Sequence, residues 1–183
     1  TTVVALFKVI KNEQSSFPFD DPNEDVRIAA WTTTPWTLPS NTALCAGPDI
    51  SYIKIKTSNP YTHTPVSVVL AEALVPNWFG GKNQSTVEGQ SAAFKGSKMK
   101  GIRYEPLLDF GNEIEPLLGG TDAYLVLTGD HVTTSDGTGI VHTAPSFGAD
   151  DQRVAKANGV GTLTLVDQTG KFKENVGPYS GRY

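Results

Sequence analysis

Short apolar segments separated by turn-forming residues run along most of the chain, and they predict a β-rich fold. Residues 3–10 and 26–31 are apolar enough to form strands, and residues 51–56 alternate apolar and polar side chains as a half-buried strand does. Residues 14–24 contain prolines and several acidic residues and are predicted to form an exposed loop. Further strands are predicted at residues 43–46, 67–70, 123–127 and 139–141.

Helical patterns are few and short. Residues 71–79 precede a Gly-Gly pair, and residues 148–159 place Asp150 and Asp151 in a first turn and end on a glycine. Residues 85–99 are predicted to form a strand pair with a polar turn. These patterns indicate one β-rich α+β domain over residues 1–183, with a partly closed β-barrel or curled sheet as its core and a few short helices at its periphery.

The composition narrows the classes of site. A single cysteine, Cys45, excludes an internal disulfide and is interpreted as a small core residue. Together with His63, His131 and His142 it shows no metal-ligand spacing, so no metal site is expected. A net charge of −4 argues against broad contact with a nucleic-acid backbone.

One modest cluster of basic residues leaves two interpretations open. It is either a solvated loop or a contact to a nucleic acid or to the rest of a larger protein. Its members are Lys95, Lys98, Lys100 and Arg103.

The first residues of the chain resemble neither a translation start nor a targeting signal. The chain begins with Thr1 instead of methionine, and neither a basic leader nor a long apolar segment is visible. We therefore expect no signal peptide and no membrane span, and we interpret the chain as a part excised from a larger protein.

The segment WTTTPWTLPSN, residues 31–41, is the first motif with chemical content. Three adjacent threonines lead directly into Pro35. If Thr34 is the N-cap residue and Pro35 the first helical residue, backbone N–H groups at this bend are free to bind a ligand oxygen. The alternative is that Thr32–Thr34 simply end a strand, which β-branched residues favour.

The segment GTGIVHTAP, residues 137–145, is the second motif. It predicts a turn, a short apolar strand that carries His142, and a proline stop. Asp151 follows His142 by nine positions. A histidine at the end of an apolar strand is either a packed structural residue or part of a site, and Asp151 either stabilises a helix N-terminus or binds a cation.

Together the two motifs, WTTTPWTLPSN and GTGIVHTAPSFGADD, resemble the editing domain of isoleucyl-tRNA synthetases, class I enzymes in which this insertion hydrolyses mischarged tRNA. Leucyl and valyl synthetases carry Thr-Thr-Arg-Pro in the first motif, whereas here Thr34 precedes Pro35, which favours the isoleucyl family. A weaker likeness extends through residues 104–107 and 166–172. The resemblance implies the editing-domain fold that the isoleucyl, valyl and leucyl enzymes share.

The resemblance also implies an activity. It is hydrolytic proofreading of Val-tRNA(Ile), with valyl-adenylate as a second candidate substrate, by attack of water on the aminoacyl ester and steric exclusion of isoleucine. The implied partners are the 3' end of tRNA(Ile) carrying valine and the remainder of the parent synthetase, in the cytoplasm. A module of the same fold that only binds the aminoacylated 3' end is the alternative, and a spacer without a ligand would leave both motifs unexplained.

No cofactor is expected in this domain. The resemblance implies that the parent synthetase uses ATP and magnesium at its aminoacylation site, elsewhere in the protein. The HIGH and KMSKS signatures of that site do not occur in this chain.

The same resemblance assigns the site residues. Asp151 would bind the ammonium group, and His142 would act first as a steric gate, with polarisation of water as a lesser alternative. Thr32, Thr33 and Thr34 would hold the ester and the attacking water. Because these neutral hydroxyls supply no strong base, catalysis would depend on positioning and on donors aimed at the developing oxyanion.

Further residues are assigned to substrate binding. Trp31 and Asn41 match positions at or beside the pocket, although a core tryptophan and a turn-forming asparagine explain them equally well. Ser146 lies near His142 in sequence, but no G-x-S-x-G elbow surrounds it, which argues against a serine hydrolase. The remaining assignments border the terminal adenosine or the acyl group, and they are Gly137, Thr138, Gly139 and Thr143.

Overall fold

A computed structural model describes residues 2–82 and 84–183 of the chain. Its strands, in chain order, are β1 (Val3–Lys8), β2 (Val26–Thr32), β3 (Ala43–Ala46), β4 (Ser51–Ser58), β5 (Pro65–Ala71), β6 (Gly89–Gln90), β7 (Phe94–Lys95), β8 (Leu125–Thr128) and β9 (Ile140–Thr143). Its α-helices are α1 (Val75–Trp78) and α2 (Ala149–Ala157), and short 3-10 helices lie at Pro35–Ser40, Glu72–Leu74, Gly96–Met99 and Gly177–Tyr179.

The nine strands form one mixed sheet. Its hydrogen-bonded order is β6-β4-β5-β2-β9-β3-β8, while β1 pairs with β2 and β7 pairs with β4. β1 and β2 are antiparallel over six residue pairs, whereas β2 and β9 are parallel and meet only at Trp31 and Val141. β3 lies between β9, to which it is antiparallel, and β8, to which it is parallel.

Residues 101–105 connect β8, at one edge of the sheet, with the residue that follows β1. Tyr104 bridges to Val9, just beyond β1, and Arg103 bridges to Leu125 in β8. These are single bridges instead of a ladder, so the sheet curls without closing into a barrel. The main apolar core fills the inside of the curl, where the ring of Phe7 meets that of Tyr104 edge-on at 5.2 Å.

The structure confirms the predicted β-rich fold and the strands that define it. Alternation explains why β2 lines the core, because Val26, Ile28 and Ala30 share its inward face. Cys45 is fully buried, as predicted, and burial raises the pKa of its thiol to about 12. α2 also forms as predicted, and Gly159 follows it with a positive φ of 67°.

Two local predictions needed correction. The helix expected at residues 71–79 is broken, because β5 continues to Ala71 and only one 3-10 turn and the four-residue α1 follow it. The strand pair expected in residues 85–99 consists of β6 and β7, which pair with β4 instead of with each other. Both errors have the same cause, because a neighbouring long strand overrides the local pattern. β5 extends into the start of the predicted helix, and β4 pairs with both short strands. Among the described residues, no helix has the length and apolar character that a membrane crossing requires.

Candidate functional site

Three strands deliver polar residues to the same edge of the curled sheet. β2 and β9 are parallel, so Thr32 and His142 lie near their carboxyl ends on that edge. β3 runs antiparallel to β9, so the residues just before β3 reach this edge as well, and Thr42 N–H donates to the carbonyl of Thr143 at 3.1 Å. The two sequence motifs therefore meet in space because of strand direction.

A cavity of about 350 Å³ opens at this edge. It brings together five predicted catalytic residues, Thr32, Thr33, Thr34, His142 and Asp151, and one predicted binding residue, Trp31. Six further lining residues were not predicted from sequence: Trp36, Thr37, Val141, Ala144, Phe147 and Gly148.

The threonine wall of the cavity is stabilised by its own hydrogen bonds. Thr34 stands at the N-cap of a 3-10 helix whose first residue is Pro35, as the motif predicted, but its side chain forms no capping bond. Instead, the backbone N–H of Thr34 donates to Thr32 Oγ1 at 3.1 Å. Thr33 and Thr34 remain exposed at the cavity while Thr32 is buried. The wall therefore presents two accessible hydroxyls on a rigid bend.

His142 is buried behind the cavity surface, with 6% of its area exposed, and both of its ring nitrogens are engaged. Nε2 lies 2.8 Å from Thr37 Oγ1, and Thr37 Oγ1 donates to the carbonyl of Thr34 at 2.9 Å. Nδ1 lies 3.0 Å from the amide nitrogen of Asn41. Because Asn41 donates at Nδ1 and Thr37 accepts at Nε2, the network assigns the proton to Nε2.

Burial lowers the pKa of His142 to about 4. The imidazole is therefore neutral at neutral pH, and neither nitrogen is free to take a proton from water without breaking a hydrogen bond. This geometry suits a fixed wall better than a general base.

Asp151 is the only charged side chain among the described residues that line the cavity. It stands in the first turn of α2, and its Oδ2 accepts the backbone N–H of Ala144 at 2.8 Å. A Cβ at position 148 would lie 2.9 Å from Asp151 Cγ, so Gly148 makes room for the carboxyl group. Burial raises the pKa of Asp151 above its ordinary 3.8, although the Ala144 N–H opposes the shift.

An aromatic pair forms the rim of the cavity. The rings of Trp36 and Phe147 meet edge-on with centroids 4.9 Å apart. Trp36 keeps 51% of its surface exposed, which is high for a tryptophan outside an interface. Sequence analysis treated Trp36 only as part of the motif, although an exposed aromatic residue directly after a turn proline was a usable signal.

The other predicted binding residues do not line the cavity. Asn41 is buried behind His142, and Thr143 is buried with its hydroxyl unpartnered among the described residues. Gly137 packs under the indole of Trp31, since a Cβ there would lie 2.8 Å from that ring. Thr138 and Gly139 are buried in the same turn, where Thr138 accepts the N–H of Ala71. Direct contact of these residues with a substrate stays a prediction.

Ser146 has a supporting role in the turn before α2. Its hydroxyl lies 2.6 Å from that of Thr162 and 2.9 Å from that of Thr164, and it does not line the cavity. The arrangement ties the turn that carries Phe147 to the following segment of the chain. The structure shows no contact between Ser146 and His142 that a serine nucleophile would need.

A second, larger cavity of about 450 Å³ is lined by the acidic loop and by β4 and β5. Three of its five carboxylates are ion-paired: Asp20 lies 2.7 Å from Lys56 Nζ, Glu24 lies 2.8 Å from the buried Lys54 Nζ, and Asp25 lies 3.0 Å from the guanidinium of Arg27. The paired charges explain the cavity as a solvated ion-pair cluster. Within the described part of the chain, no group of three or more histidine, cysteine or acidic residues is placed to hold a metal ion.

Comparison with known proteins shows close relatives over the whole chain. The chain is 44% identical to the isoleucine–tRNA ligase of Porphyromonas gingivalis, over 100% of this chain and 16% of that protein. It is 39% identical to the isoleucine–tRNA ligase of Clostridium tetani, over 96% of this chain and 15% of that protein. The chain therefore spans about 16% of the length of these curated relatives. No protein-family model matches the chain.

Solved structures with the same fold are synthetase editing domains. The cytosolic leucyl-tRNA synthetase editing domain of P. knowlesi superimposes with a TM-score of 0.61 at 13% identity, over 86% of this chain and 64% of that one. The crystal structure of GlLeuRS-CP1 gives a TM-score of 0.59 at 17% identity, over 98% of this chain and 69% of that one. At these identities the likeness establishes the fold alone.

Proposed function

This chain belongs to the isoleucyl-tRNA synthetase family and has the fold of a synthetase editing domain, and from that premise we propose that it hydrolyses valine from tRNA(Ile). The observation that supports this most is the composition of one cavity, which combines a single carboxylate, a wall of hydroxyls and a neutral, fixed imidazole. Each of these groups fits one part of an aminoacyl ester.

The ammonium group of the ester is assigned to Asp151. Asp151 Oδ2 already accepts the N–H of Ala144, and Oδ1 has no donor among the described residues, so it is available to a ligand. A carboxylate in an otherwise uncharged cavity attracts a cation, because no other side-chain charge on the cavity wall competes with it.

The ester and the attacking water are assigned to Thr33 and Thr34, whose hydroxyls are accessible. His142 is neutral with both nitrogens engaged, and the carboxylate of Asp151 is assigned to the ammonium group, so no lining residue is left to act as a strong base. Hydrolysis at this site therefore depends on holding water close to the carbonyl and on stabilising the oxyanion with hydrogen-bond donors. Ser146 has no part in the reaction.

We assign the steric exclusion of the larger isoleucyl group to the wall formed by His142 and Thr37. A synthesis pocket gains only about 1–3 kcal/mol per methylene and so rejects valine weakly, a limit for which isoleucyl-tRNA synthetase is itself the usual illustration. An editing pocket inverts the test, because a fixed wall excludes the larger isoleucyl group sterically while the valyl group fits. The Thr37–His142–Asn41 hydrogen bonds keep that wall in place.

The base of the terminal adenosine is assigned to the exposed face of Trp36. We expect Trp36→Ala to weaken binding of a non-hydrolysable valyl-adenosine analogue about tenfold, because stacking of a base on an aromatic ring contributes roughly 1–3 kcal/mol. Isothermal titration calorimetry measures this, with Trp36→Phe as the matched variant that retains an aromatic ring. Equal affinities for the alanine variant and the unchanged protein would contradict the assignment.

The larger setting is part of the same proposal. Residues 1–183 form one editing domain of a longer cytoplasmic synthetase, which charges tRNA(Ile) with ATP and magnesium at another site. The partner of this domain is the 3' end of tRNA(Ile) carrying valine, with valyl-adenylate as a second substrate. No cofactor is required here.

The deciding experiment follows deacylation of Val-tRNA(Ile) and Ile-tRNA(Ile) by this chain over the same time course. Faster loss of valine than in buffer, with isoleucine spared, supports the proposal. Binding of the non-hydrolysable valyl-adenosine analogue, together with no deacylation of either tRNA ester, would instead identify a module that only holds the aminoacylated 3' end. Equal rates for the two esters would contradict the steric exclusion of isoleucine.

A further inference from the structure

A buried tyrosine outside the cavity is connected to the His142 wall by hydrogen bonds. Tyr104 exposes 1% of its surface, and its hydroxyl donates to Asn41 Oδ1 at 2.7 Å. The amide nitrogen of Asn41 in turn donates to the carbonyl of Ala43 at 2.7 Å and lies 3.0 Å from His142 Nδ1. A continuous series of hydrogen bonds therefore runs from residues 101–105 to the imidazole of His142.

The orientation of the Asn41 amide determines which imidazole nitrogen carries the proton. In the observed orientation, Asn41 offers an N–H to Nδ1, so Nδ1 must be unprotonated and Nε2 holds the hydrogen. A protonated imidazolium would place two donors face to face at Nδ1. If the amide were turned around, its oxygen would instead accept a hydrogen from Nδ1.

Two close hydrogen bonds stabilise the observed orientation of the Asn41 amide. The carbonyl of Ala43 accepts from the amide nitrogen, and the hydroxyl of Tyr104 satisfies the amide oxygen, which would otherwise be buried without a donor. Burial raises the pKa of Tyr104 well above 10, so its hydroxyl keeps its proton at any physiological pH. Without that hydroxyl, the turned amide would be opposed only by the carbonyl of Ala43 and, at 3.5 Å, by that of Thr143.

We propose that Tyr104 is a positioning residue for the editing site: through Asn41, its hydroxyl keeps the His142 imidazole neutral, with the proton on Nε2 directed to Thr37. The groups facing His142 are Thr37 and Asn41, and Asp151 is the one charged side chain on the same cavity. The tautomer itself does not depend on hydrolysis. Its consequence for substrate choice rests on the proposed function.

The test is nitrogen-15 NMR of the imidazole rings, which distinguishes the two tautomers and follows protonation with pH. The chain contains three histidines, so the signals of His142 are identified by their loss in His142→Gln. In the unchanged protein, His142 should carry its hydrogen on Nε2 and stay neutral until the pH approaches about 4.

Tyr104→Phe keeps the ring that packs against Phe7 and removes only the hydroxyl. We expect His142 in this variant to bind a proton at least about tenfold more tightly, or to show a mixture of tautomers. Tyr124→Phe is the matched control, since its ring lies 6.2 Å from that of Tyr104 and its hydroxyl lies outside this series of hydrogen bonds. The control should leave the His142 signals unchanged.

Unchanged tautomer and titration of His142 in folded Tyr104→Phe would overturn the proposal. If that variant does not fold, the unchanged protein still tests the proposal. A hydrogen on Nδ1 of His142, or titration of His142 near pH 6.5, would contradict the hydrogen-bond network. Valyl and isoleucyl ester hydrolysis are measured on the same samples. A failure of the unchanged protein to hydrolyse either ester would count against the proposed function alone.

Discussion

Replacing His142 with alanine is expected to make isoleucyl esters substrates. The change removes the imidazole from the cavity wall and leaves more room than the single methylene that distinguishes isoleucine from valine. Since a difference of one methylene corresponds to about tenfold to 200-fold in discrimination, we expect the ratio of valyl to isoleucyl hydrolysis to fall by about that factor. Deacylation of Ile-tRNA(Ile) measures it directly.

Two further variants test whether the effect of His142→Ala comes from the lost bulk of this side chain. His63→Ala removes a histidine from an exposed turn remote from the cavity, so it should leave the ratio unchanged. His142→Phe retains the bulk but loses both hydrogen bonds, so isoleucine should still be excluded if the gate is steric. If His142→Ala continues to spare isoleucine while hydrolysing valine, the gate lies in other residues.

Asp151→Asn is expected to weaken binding of a valyl-adenosine analogue by about 100-fold or more. Removing one partner of a partly buried charge pair costs roughly 2–5 kcal/mol. The asparagine keeps the shape of the side chain and an oxygen for the N–H of Ala144, so the change is chiefly one of charge. Calorimetric titration with the analogue measures the loss.

Asp150→Asn is the matched control for this experiment. Asp150 occupies the same helical turn but is exposed and pairs with Arg153 at 3.2 Å instead of lining the cavity. It should change the affinity little, because exposed ion pairs contribute weakly. Equal losses in the two variants would show that general charge, and not an ammonium contact, governs binding.

The pH dependence of binding follows from the raised pKa of Asp151. The ammonium contact requires the ionised carboxylate, and burial makes that carboxylate accept a proton at a higher pH than the ordinary value of 3.8. Affinity should therefore decline, as the pH is lowered, before an exposed carboxylate would be protonated. Titrations of the unchanged protein over a series of acidic pH values measure this, and Asp151→Asn should lack the decline.

The raised pKa of Asp151 affects the stability of the fold in the opposite direction to its effect on binding. Because the folded protein binds the Asp151 proton more tightly than the unfolded chain, this group favours folding as the pH falls through its raised pKa and opposes folding above it. At neutral pH, Asp151→Asn should therefore melt at the same temperature as the unchanged protein or at a higher one. Loss of binding with retained stability separates a missing contact from a damaged fold.

Local sequence patterns predicted most strands because burial alternates along them. They could not predict which strands become neighbours. Thr37 contacts His142 across 105 positions, a contact that follows only from the pairing of β2 with β9 and from the 3-10 helix between β2 and β3. For the same reason, sequence could not show that Asn41 lies behind the imidazole, and its contact with a substrate stays a prediction.

The motifs predicted which residues meet at the cavity, whereas the individual roles of those residues stay predictions. Thr32–Thr34, His142 and Asp151 all line it, because each lies at the end of an element that meets the same sheet edge. The turn at residues 137–139 does not line the cavity, because Gly137 packs under Trp31 and the next two residues are buried, and its contact with a substrate stays a prediction. A turn motif specifies its own conformation, whereas its surroundings depend on the elements packed against it.

The seam between β2 and β9, where the two strands share one residue pair, bears on the local stability of the cavity. One wall belongs to the β1–β2 ladder and the other to the β3–β8–β9 ladder. The strands of these two ladders pair directly at Trp31 and Val141, and residues 101–105 bridge them a second time on the far side of the curl. We expect the two ladders to separate more readily at this seam than within either ladder, with the Thr37–His142 hydrogen bond opposing the separation. Amide protons at the seam should exchange with solvent faster than those within either ladder, and occupancy by a ligand should slow them.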